Sequence, residues 1–399
     1  MIYMMASAFM MTTLSSCNIY KKEKQATKKD VFTAKGTKLY LNGKPFHGIG
    51  FDKFDLAMQI MAEYMPDVFT AFSEGFRRSA AVEALTQLNE MGFKVIRVWG
   101  GPMSKIQMQK SYYNEEKKEL YYQALDDMLT LCQEFNIKVI FSVGWGWQTF
   151  DDLAGEKAGT LVRDPESSSR KMFNDYLEDI INRYKKYPSV VMWEIGNEMS
   201  LKSDINNAQY WKSEELASYY ADTANRIRKA DPLRMIGTGD NDRGAAWRNY
   251  QFAKNGISTS IPDTFNNHTE WYKLMYAMEK GAPDAISIHY YRRNTEEEKI
   301  SNPFSVADYM KIAEAVGKPL YIGESGAPCN EKFSYENRKR IAKENLNEFV
   351  SAKVSLAMVW SYHIDRWQGT DVWDIRKGKD DELLQMTMDA NKQLEMISD

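Results

Sequence analysis

Short apolar runs rich in β-branched residues alternate, from residue 38 onward, with longer stretches in which apolar residues recur at helical spacing. This alternation is typical of β-α-β units around a parallel sheet. Strands are predicted at 46–51, 95–99, 139–143, 190–196, 234–238, 285–291, 319–323 and 356–361. Helices are predicted at 76–91, 117–135, 167–187, 209–230, 266–280, 303–316, 335–352 and 381–396. Eight repeats with no linker between them fit a closed barrel better than an open sheet. We therefore predict an α/β fold, a single (β/α)8 TIM barrel over residues 38–399.

Glycines and loop lengths refine this prediction. Gly92 and Gly317 stand where helix C-caps are expected, just before the second and seventh strands. The segments 52–75, 144–166 and 239–265, each of which follows a strand, are long. In such barrels the loops after the strands build the active site, so the sequence predicts a walled cleft on that face.

Chemistry-bearing side chains fall at the ends of the predicted strands. Because residues i and i+2 share a face of a strand, the face that carries Met192 ends in Glu198, and the face that carries Ile322 ends in Glu324. The same counting places further polar or aromatic groups at strand ends, namely Arg97, Trp99, His289, Tyr291 and Trp360.

Two carboxylates at such positions suit glycoside hydrolysis, in which one donates a proton and the other attacks or stabilises an oxocarbenium-like centre. The alternative is that one of the two glutamates forms a buried ion pair with Arg97. Glu194 shares the inward face but lies deeper, and we interpret it as a structural, paired carboxylate. His47, at the first strand, is interpreted as structural.

Residues 193–198, Trp-Glu-Ile-Gly-Asn-Glu, resemble the Asn-Glu signature on strand four of the clan A glycoside hydrolases. Within that clan the similarity is closest to family 5, the cellulase and mannanase family. Further fragments resemble the family's strands one, two, six, seven and eight, in that order: residues 42–50, 95–99, 289–291, 322–326 and 359–361. All of them occur in order, each at a strand end, which makes the resemblance specific.

The resemblance implies roles for individual residues. Glu198 would be the acid/base, Glu324 the nucleophile, and Asn197 the hydrogen-bond partner of the sugar 2-hydroxyl. Arg97 and Tyr291 would orient Glu324 and keep it ionised, because an adjacent cation and a phenol donor favour the charged form.

Two more roles and one departure follow from the same resemblance. His289 would lie near the acid/base, and Trp360 would form the floor under the reacting sugar, with a cis peptide bond to Ser361. Many family members carry a histidine at the end of strand three, where residues 142–147 of this chain read Ser-Val-Gly-Trp-Gly-Trp. This departure leaves the subfamily and the substrate open.

Aromatic residues are abundant, with 10 Trp and 23 Tyr. They indicate either a tyrosine-rich core and surface or a cleft that stacks sugar rings. We assign Trp99 to substrate binding. Trp145, Trp147, Trp247 and Trp271 fall in or beside loops after strands, where loop packing and sugar stacking both remain open.

The N-terminus predicts export. Residues 1–14 are apolar and too short to span a membrane, and residues 14–17, Leu-Ser-Ser-Cys, resemble a bacterial lipoprotein processing site, although no basic residue precedes the apolar run. We predict a processing segment over 1–17, a charged tether over 18–37, and a secreted, cell-surface or periplasmic protein that is lipid-anchored at Cys17. A simple cleaved signal is the alternative.

Charge and cysteine content exclude several classes of function. A net charge of −3 gives no electrostatic reason to expect nucleic acid, and three cysteines cannot make a disulfide framework. Residues 240–242, Asp-Asn-Asp, could resemble a calcium site but are more typical of a turn. We expect a monomer that binds an oligo- or polysaccharide, with no metal, no cofactor and no membrane contact beyond the anchor.

The resulting hypothesis is a retaining β-glycoside hydrolase that cleaves mannan- or glucan-type β-linked glycans by double displacement. One alternative is an exo-acting β-mannosidase or β-galactosidase with the same mechanism. Another is a non-catalytic glycan-binding barrel, which would be expected to have lost Glu198, Glu324 or Asn197, and all three are present.

Overall fold

The computed structural model describes residues 26–69, 77–101, 103–203, 210–241, 282–291, 304–331, 333–364 and 372–398, together with residues 269, 272, 273, 275 and 276. Trp247, Trp271, Asp242, the processing segment with Cys17 and most of the predicted helix 266–280 lie outside the described residues. None of the helices in the described ranges is both long and apolar enough to cross a membrane.

A small antiparallel sheet precedes the barrel and consists of β1 (Thr33–Lys35), β2 (Lys38–Leu41) and β3 (Lys44–Pro45). Phe32 and Leu39 from this segment pack on barrel residues such as Val191, and the Phe32 amide donates to the Val191 carbonyl at 3.3 Å. The predicted tether over 18–37 therefore extends too far. Val31 and Phe32 are buried, and burial of apolar area draws this part of the chain onto the barrel.

Eight parallel strands form the barrel: β4 (Gly48–Asp52), β5 (Val95–Trp99), β6 (Lys138–Ser142), β7 (Val190–Glu194), β8 (Met235–Gly237), β9 (Ile286–Tyr290), β10 (Leu320–Ser325) and β11 (Leu356–Val359). Their hydrogen-bonded order is β8-β7-β6-β5-β4-β11-β10-β9. Between β8 and β9 the Asp284 amide donates to the Ile236 carbonyl at 2.7 Å. The Tyr276 hydroxyl lies 2.7 Å from Thr238 Oγ1 and accepts from the Ser287 amide at 3.1 Å. The barrel is thus nearly closed, which confirms the predicted fold class.

The helices described are α1 (Leu56–Tyr64), α2 (Pro66–Phe69), α3 (Arg78–Glu90), α4 (Lys105–Lys110), α5 (Lys118–Glu134), α6 (Gln148–Ala154), α7 (Thr160–Arg163), α8 (Ser168–Tyr184), α9 (Ser213–Ala230), α10 (Val306–Val316), α11 (Tyr335–Ser351) and α12 (Asp381–Glu395). Short 3-10 helices cover Met199–Lys202 and Met396–Ser398. Gly92 and Gly317 have φ of 85° and 76°, so the predicted left-handed helix ends are confirmed.

Two of the predicted long loops contain helices that the sequence pattern did not indicate. α1 and α2 lie in 52–75, and α6 and α7 lie in 144–166. Residues 56–62 of α1 are all buried, so the apolar residues of this helix do not follow a one-sided helical period. The others are too short to show one. α1 and α2 follow the end of β4, and α6 and α7 follow the end of β6.

Candidate active site

Arg97, on β5, is fully buried and joins four side chains at the strand ends. Its Nε donates to both carboxylate oxygens of Glu194 at 2.9 and 3.0 Å. Its Nη1 donates to Glu324 Oε1 at 2.7 Å and to Asp52 Oδ1 at 3.1 Å. Its Nη2 donates to Asn197 Oδ1 at 2.7 Å. Glu194 is therefore paired with Arg97, as predicted. Glu324 also forms an ion pair with Arg97, which is the alternative that the sequence left open for one of the two glutamates.

Three carboxylates share this one guanidinium, and they do not share it equally. Asp52 is fully buried, and its Oδ2 has no hydrogen-bond partner among the residues that the structure describes. Burial raises the pKa of Asp52 well above its ordinary value, and Arg97 only partly opposes this. Burial thus favours the uncharged form of the Asp52 carboxyl group.

Glu324, at the end of β10, has a hydrogen-bond donor on each carboxylate oxygen. Arg97 donates to Oε1, and the Tyr291 hydroxyl donates to Oε2 at 2.7 Å. Burial raises the pKa of Glu324, while His289, Arg97 and the Tyr291 hydrogen bond lower it. Arg97 and Tyr291 thus favour the ionised form of Glu324, as expected. Burial has the larger effect, so the pKa of Glu324 is raised overall. Burial also raises the pKa of Tyr291 well above its ordinary value, so that hydroxyl keeps its proton.

Glu198 differs from Glu324 in exposure and in backbone conformation. Its side chain is 29% exposed, against 6% for Glu324. Its backbone is left-handed, with φ of 49° and ψ of 32°, which is uncommon for a residue other than glycine. Its amide donates to the Gly239 carbonyl at 2.8 Å.

His289, on β9, contacts both glutamates. Its Nδ1 lies 3.0 Å from Glu198 Oε1 and 3.4 Å from Glu324 Oε2. Burial lowers the pKa of His289 to about 4, so the imidazole is neutral at neutral pH. A Cβ on the neighbouring Gly323 would lie 2.9 Å from His289 Nε2, so only glycine leaves room for this ring.

The two carboxylates lie close together. Ligand atoms of Glu198, His289 and Glu324 all fall within 4.8 Å of one another, which would also allow a metal ion to bind among these described residues. Carboxylates about 5–5.5 Å apart are typical of retaining glycosidases, whereas inverting enzymes need roughly 6.5–9.5 Å to admit a water molecule. A separation of at most 4.8 Å between one oxygen of each carboxylate is closer to the retaining range than to the inverting range.

Aromatic rings line the same face. Trp360 stacks on Phe54 with ring centroids 4.7 Å apart and an interplanar angle of 9°, and its peptide bond to Ser361 is cis, as the sequence predicted. Trp145 lies 5.7 Å from Trp99 and 6.1 Å from Trp360. The Arg97 guanidinium carbon lies 4.3 Å from the centre of a Trp145 ring, a cation–π distance. Trp145 thus covers the arginine that holds Glu324.

Trp147 belongs to a different aromatic group. It meets Trp211 edge-on at 4.8 Å and Tyr210 at 5.6 Å. Trp211 is buried, while Tyr210 is exposed. These contacts favour loop packing for at least one edge of Trp147, the first of the two roles that the sequence left open.

Three residues of the site escaped the sequence analysis. Asp52 ends the inward face that carries Gly48 and Gly50, so the spacing used for the other strands also indicates it. Phe54 follows β4 in a segment interpreted as loop. Asp240 was interpreted only as part of a turn or a calcium site. Its side chain accepts from the amide of Ser200, in the turn after Glu198, and these two segments meet only in the folded barrel.

Comparison with known proteins gives the same family as the sequence motifs. The sequence model of the family described as Cellulase (glycosyl hydrolase family 5) matches residues 63–366. Mannan endo-1,4-beta-mannosidase 8 of Oryza sativa subsp. japonica is 24% identical over 348 residues, covering 79% of this chain and 85% of its own length. Mannan endo-1,4-beta-mannosidase 3 of Arabidopsis thaliana is 23% identical, covering 77% and 74% respectively.

Solved structures show the same fold. An endo-beta-1,4-mannanase from Thermotoga petrophila superposes with a TM-score of 0.64 at 17% identity, covering 90% of this chain and 79% of its own. A family 5 mannosidase from Rhizomucor miehei gives a TM-score of 0.66 at 14% identity, covering 94% and 99%. Since the family match spans well over half of the sequence, this chain belongs to the cellulase family, glycosyl hydrolase family 5.

Proposed function

We propose that this protein is an endo-acting β-1,4-mannanase that works by double displacement, with Glu324 as nucleophile and Glu198 as acid/base. The observation that carries the assignment is the unequal setting of two carboxylates within 4.8 Å of each other. Glu324 is buried and has a donor on each oxygen, while Glu198 is partly exposed and lies beside a neutral imidazole.

In the first step the Glu324 carboxylate attacks the anomeric carbon of the bound sugar. Glu198 donates its proton to the glycosidic oxygen, the bond between that oxygen and the anomeric carbon breaks, and the leaving sugar departs as an alcohol. Arg97 and Tyr291 fix the two oxygens of Glu324, so the nucleophile is oriented before the substrate binds.

In the second step a water molecule attacks the anomeric carbon of the glycosyl ester. Glu198, now ionised, takes the proton of that water, and the bond to Glu324 breaks with retention of the β-configuration. His289 Nδ1 stays within hydrogen-bond distance of Glu198 in its neutral form. A neutral neighbour lets Glu198 alternate between acid and base without a competing charge.

Asn197 and Trp360 bind the sugar in this proposal. Arg97 engages Asn197 Oδ1, which leaves the amide nitrogen as the donor that this side chain can offer to a sugar hydroxyl. Phe54 covers one face of Trp360, and the other face is the platform for the apolar face of a pyranose.

The choice of mannan rests on the relatives, several of which are named mannan endo-1,4-beta-mannosidases. Incubation with β-1,4-mannan and with a β-1,4-glucan tests it. We expect a rapid fall in the viscosity of mannan and a mixture of oligosaccharide products. Release of mannose alone, without a fall in viscosity, would favour exo action, and hydrolysis of glucan alone would overturn the substrate assignment.

The roles of the two glutamates are tested by azide rescue of alanine variants with an aryl β-glycoside that has a good leaving group. Glu198→Ala should form its glycosyl ester and stall, and azide should restore turnover and release a β-glycosyl azide. Glu324→Ala should be nearly inactive, and azide should enter from the vacated side and give the α-azide. Reversed stereochemistries would exchange the roles, and full activity in both variants would place the site elsewhere.

For location, we propose a secreted or cell-surface enzyme that is held to a membrane by lipid on Cys17 and acts as a monomer. This proposal rests on the lipoprotein-like residues 14–17 and the charged residues that follow them.

A further inference from the structure

The turn that carries Glu198 is held in a backbone conformation that it would not adopt alone. Glu198 is left-handed, and the 3-10 helix Met199–Lys202 begins directly after it. A side chain with a Cβ disfavours this conformation, so surrounding contacts must maintain it. One contact is the hydrogen bond from the Glu198 amide to the carbonyl of Gly239, which follows β8.

Asp240, the next residue, supplies further contacts from a buried carboxylate. Its Oδ1 accepts from the Ser200 amide at 3.1 Å and from the Ser200 hydroxyl. Its Oδ2 accepts from the Tyr220 hydroxyl of α9 at 2.7 Å. Asp240 is 1% exposed, so these hydrogen bonds are little screened by water. The carboxylate therefore ties the turn two residues after Glu198 to a rigid helix.

Glu324 is positioned in a different way. Its carboxylate is fixed directly by the side chains of Arg97 and Tyr291. The Glu198 side chain is more exposed, although His289 Nδ1 contacts it at 3.0 Å, and its reach is set by the backbone of the turn that carries it. A change at Asp240 should consequently displace the acid/base much more than the nucleophile.

From this geometry we propose that Asp240 is a positioning residue for Glu198, and that it serves proton donation to the leaving group rather than nucleophilic attack. Proton transfer needs the donor within hydrogen-bond reach of the glycosidic oxygen, so a small displacement of Glu198 weakens it. The inference rests on the proposed role of Glu198 as acid/base.

The test compares kcat/KM for two β-aryl glycosides of the same manno-oligosaccharide, one with a 2,4-dinitrophenyl leaving group and one with phenyl. Dinitrophenolate hardly needs a proton, whereas phenolate does. The ratio of the two values does not depend on the fraction of enzyme that is folded. Asp240→Ala should raise this ratio about 10-fold over the unchanged enzyme, and Glu198→Ala should raise it by ~10²–10⁴. Ser200→Ala, which keeps the backbone donor, should raise it less.

Ser287→Ala is the matched control. Ser287 Oγ donates to the main-chain carbonyl of Asp240 at 3.3 Å, so this variant loses a bond to the same residue but keeps the carboxylate contacts. Its ratio should stay unchanged. If Asp240→Ala and Ser200→Ala lower both kcat/KM values equally, Asp240 is only structural and the inference is overturned. If Glu198→Ala itself leaves the ratio unchanged, the proposed acid/base role fails and the inference falls with it.

Discussion

Arg97 Nη1 lies 2.7 Å from Oε1 of Glu324 while the same guanidinium also holds Glu194 and Asp52. The arrangement places one cation among three buried carboxylates, so the charge state of Glu324 depends on Arg97. Removing one member of such a buried cluster leaves the others uncompensated.

Replacing Arg97 should therefore change both stability and the pH dependence of activity. Since Arg97 lowers the pKa of Glu324, Arg97→Met should raise that pKa further and move the acidic limb of kcat/KM to higher pH. The variant should also lose roughly 3–5 kcal/mol of unfolding free energy. Arg97→Lys keeps the charge and should shift the limb less. The dependence of kcat/KM on pH measures the first effect, and urea unfolding measures the second. An acidic limb that does not move in Arg97→Met would contradict the inference that Arg97 lowers the pKa of Glu324.

His289 should make the protein less stable in acid. Burial lowers the pKa of folded His289 to about 4, while an unfolded histidine takes up its proton near pH 6.5. Protons therefore favour the unfolded state over this range, and the contribution of His289 is complete above pH 6.5 and is lost as the pH falls toward 4. Between pH 7 and pH 4.5, the unfolding free energy of His289→Asn should fall by roughly 2–3 kcal/mol less than that of the unchanged protein. Urea unfolding at the two pH values measures this fall in each protein. An equal fall in the variant and in the unchanged protein would show that His289 is not the source of the acid sensitivity.

Trp360 should matter for catalysis and Trp147 for packing. Trp360→Ala removes the proposed platform and should lower kcat/KM on mannan by about 10- to 100-fold, with Trp360→Phe in between. Trp147→Ala removes an edge contact with Trp211 and should lower the melting temperature more than the rate. The two alanine variants are matched in chemistry, so similar rate losses in both would refute the distinction.

Cys17→Ser should release the enzyme from the membrane fraction. Acyl chains anchor a protein by about 0.8 kcal/mol per buried CH₂ group, and serine has no thiol with which to form the thioether that would carry the lipid. Activity per mole of protein should not change, because the proposed catalytic residues lie in the barrel. Fractionation and mass spectrometry test this, and an unchanged protein that is soluble and carries no lipid would exclude the anchor.

The sequence by itself determined the alternation of strands and helices and the polar residues at the ends of the strands. Buried β-branched runs are local signals, so the strand Val95–Trp99 is predicted to the residue and the others to within a few residues. Strict alternation of side chains along a strand then assigns Arg97, His289 and Glu324 to one face of the barrel, whereas Glu198 lies in the turn beyond β7 and its position depends on that turn. The family motifs strengthen this assignment because they occur at those same ends.

Only the tertiary structure decided how these ends act on one another. Distances between residues on different strands depend on how the barrel closes, so the sharing of Arg97 by three carboxylates is not a local property. The low pKa of His289 and the high pKa of Asp52 come first from burial, which the whole fold creates. Three further contacts depend on the whole fold for the same reason: the packing of Phe32 on the barrel, the placement of Trp145 over Arg97, and the hydrogen bonds of Asp240 to the turn after Glu198.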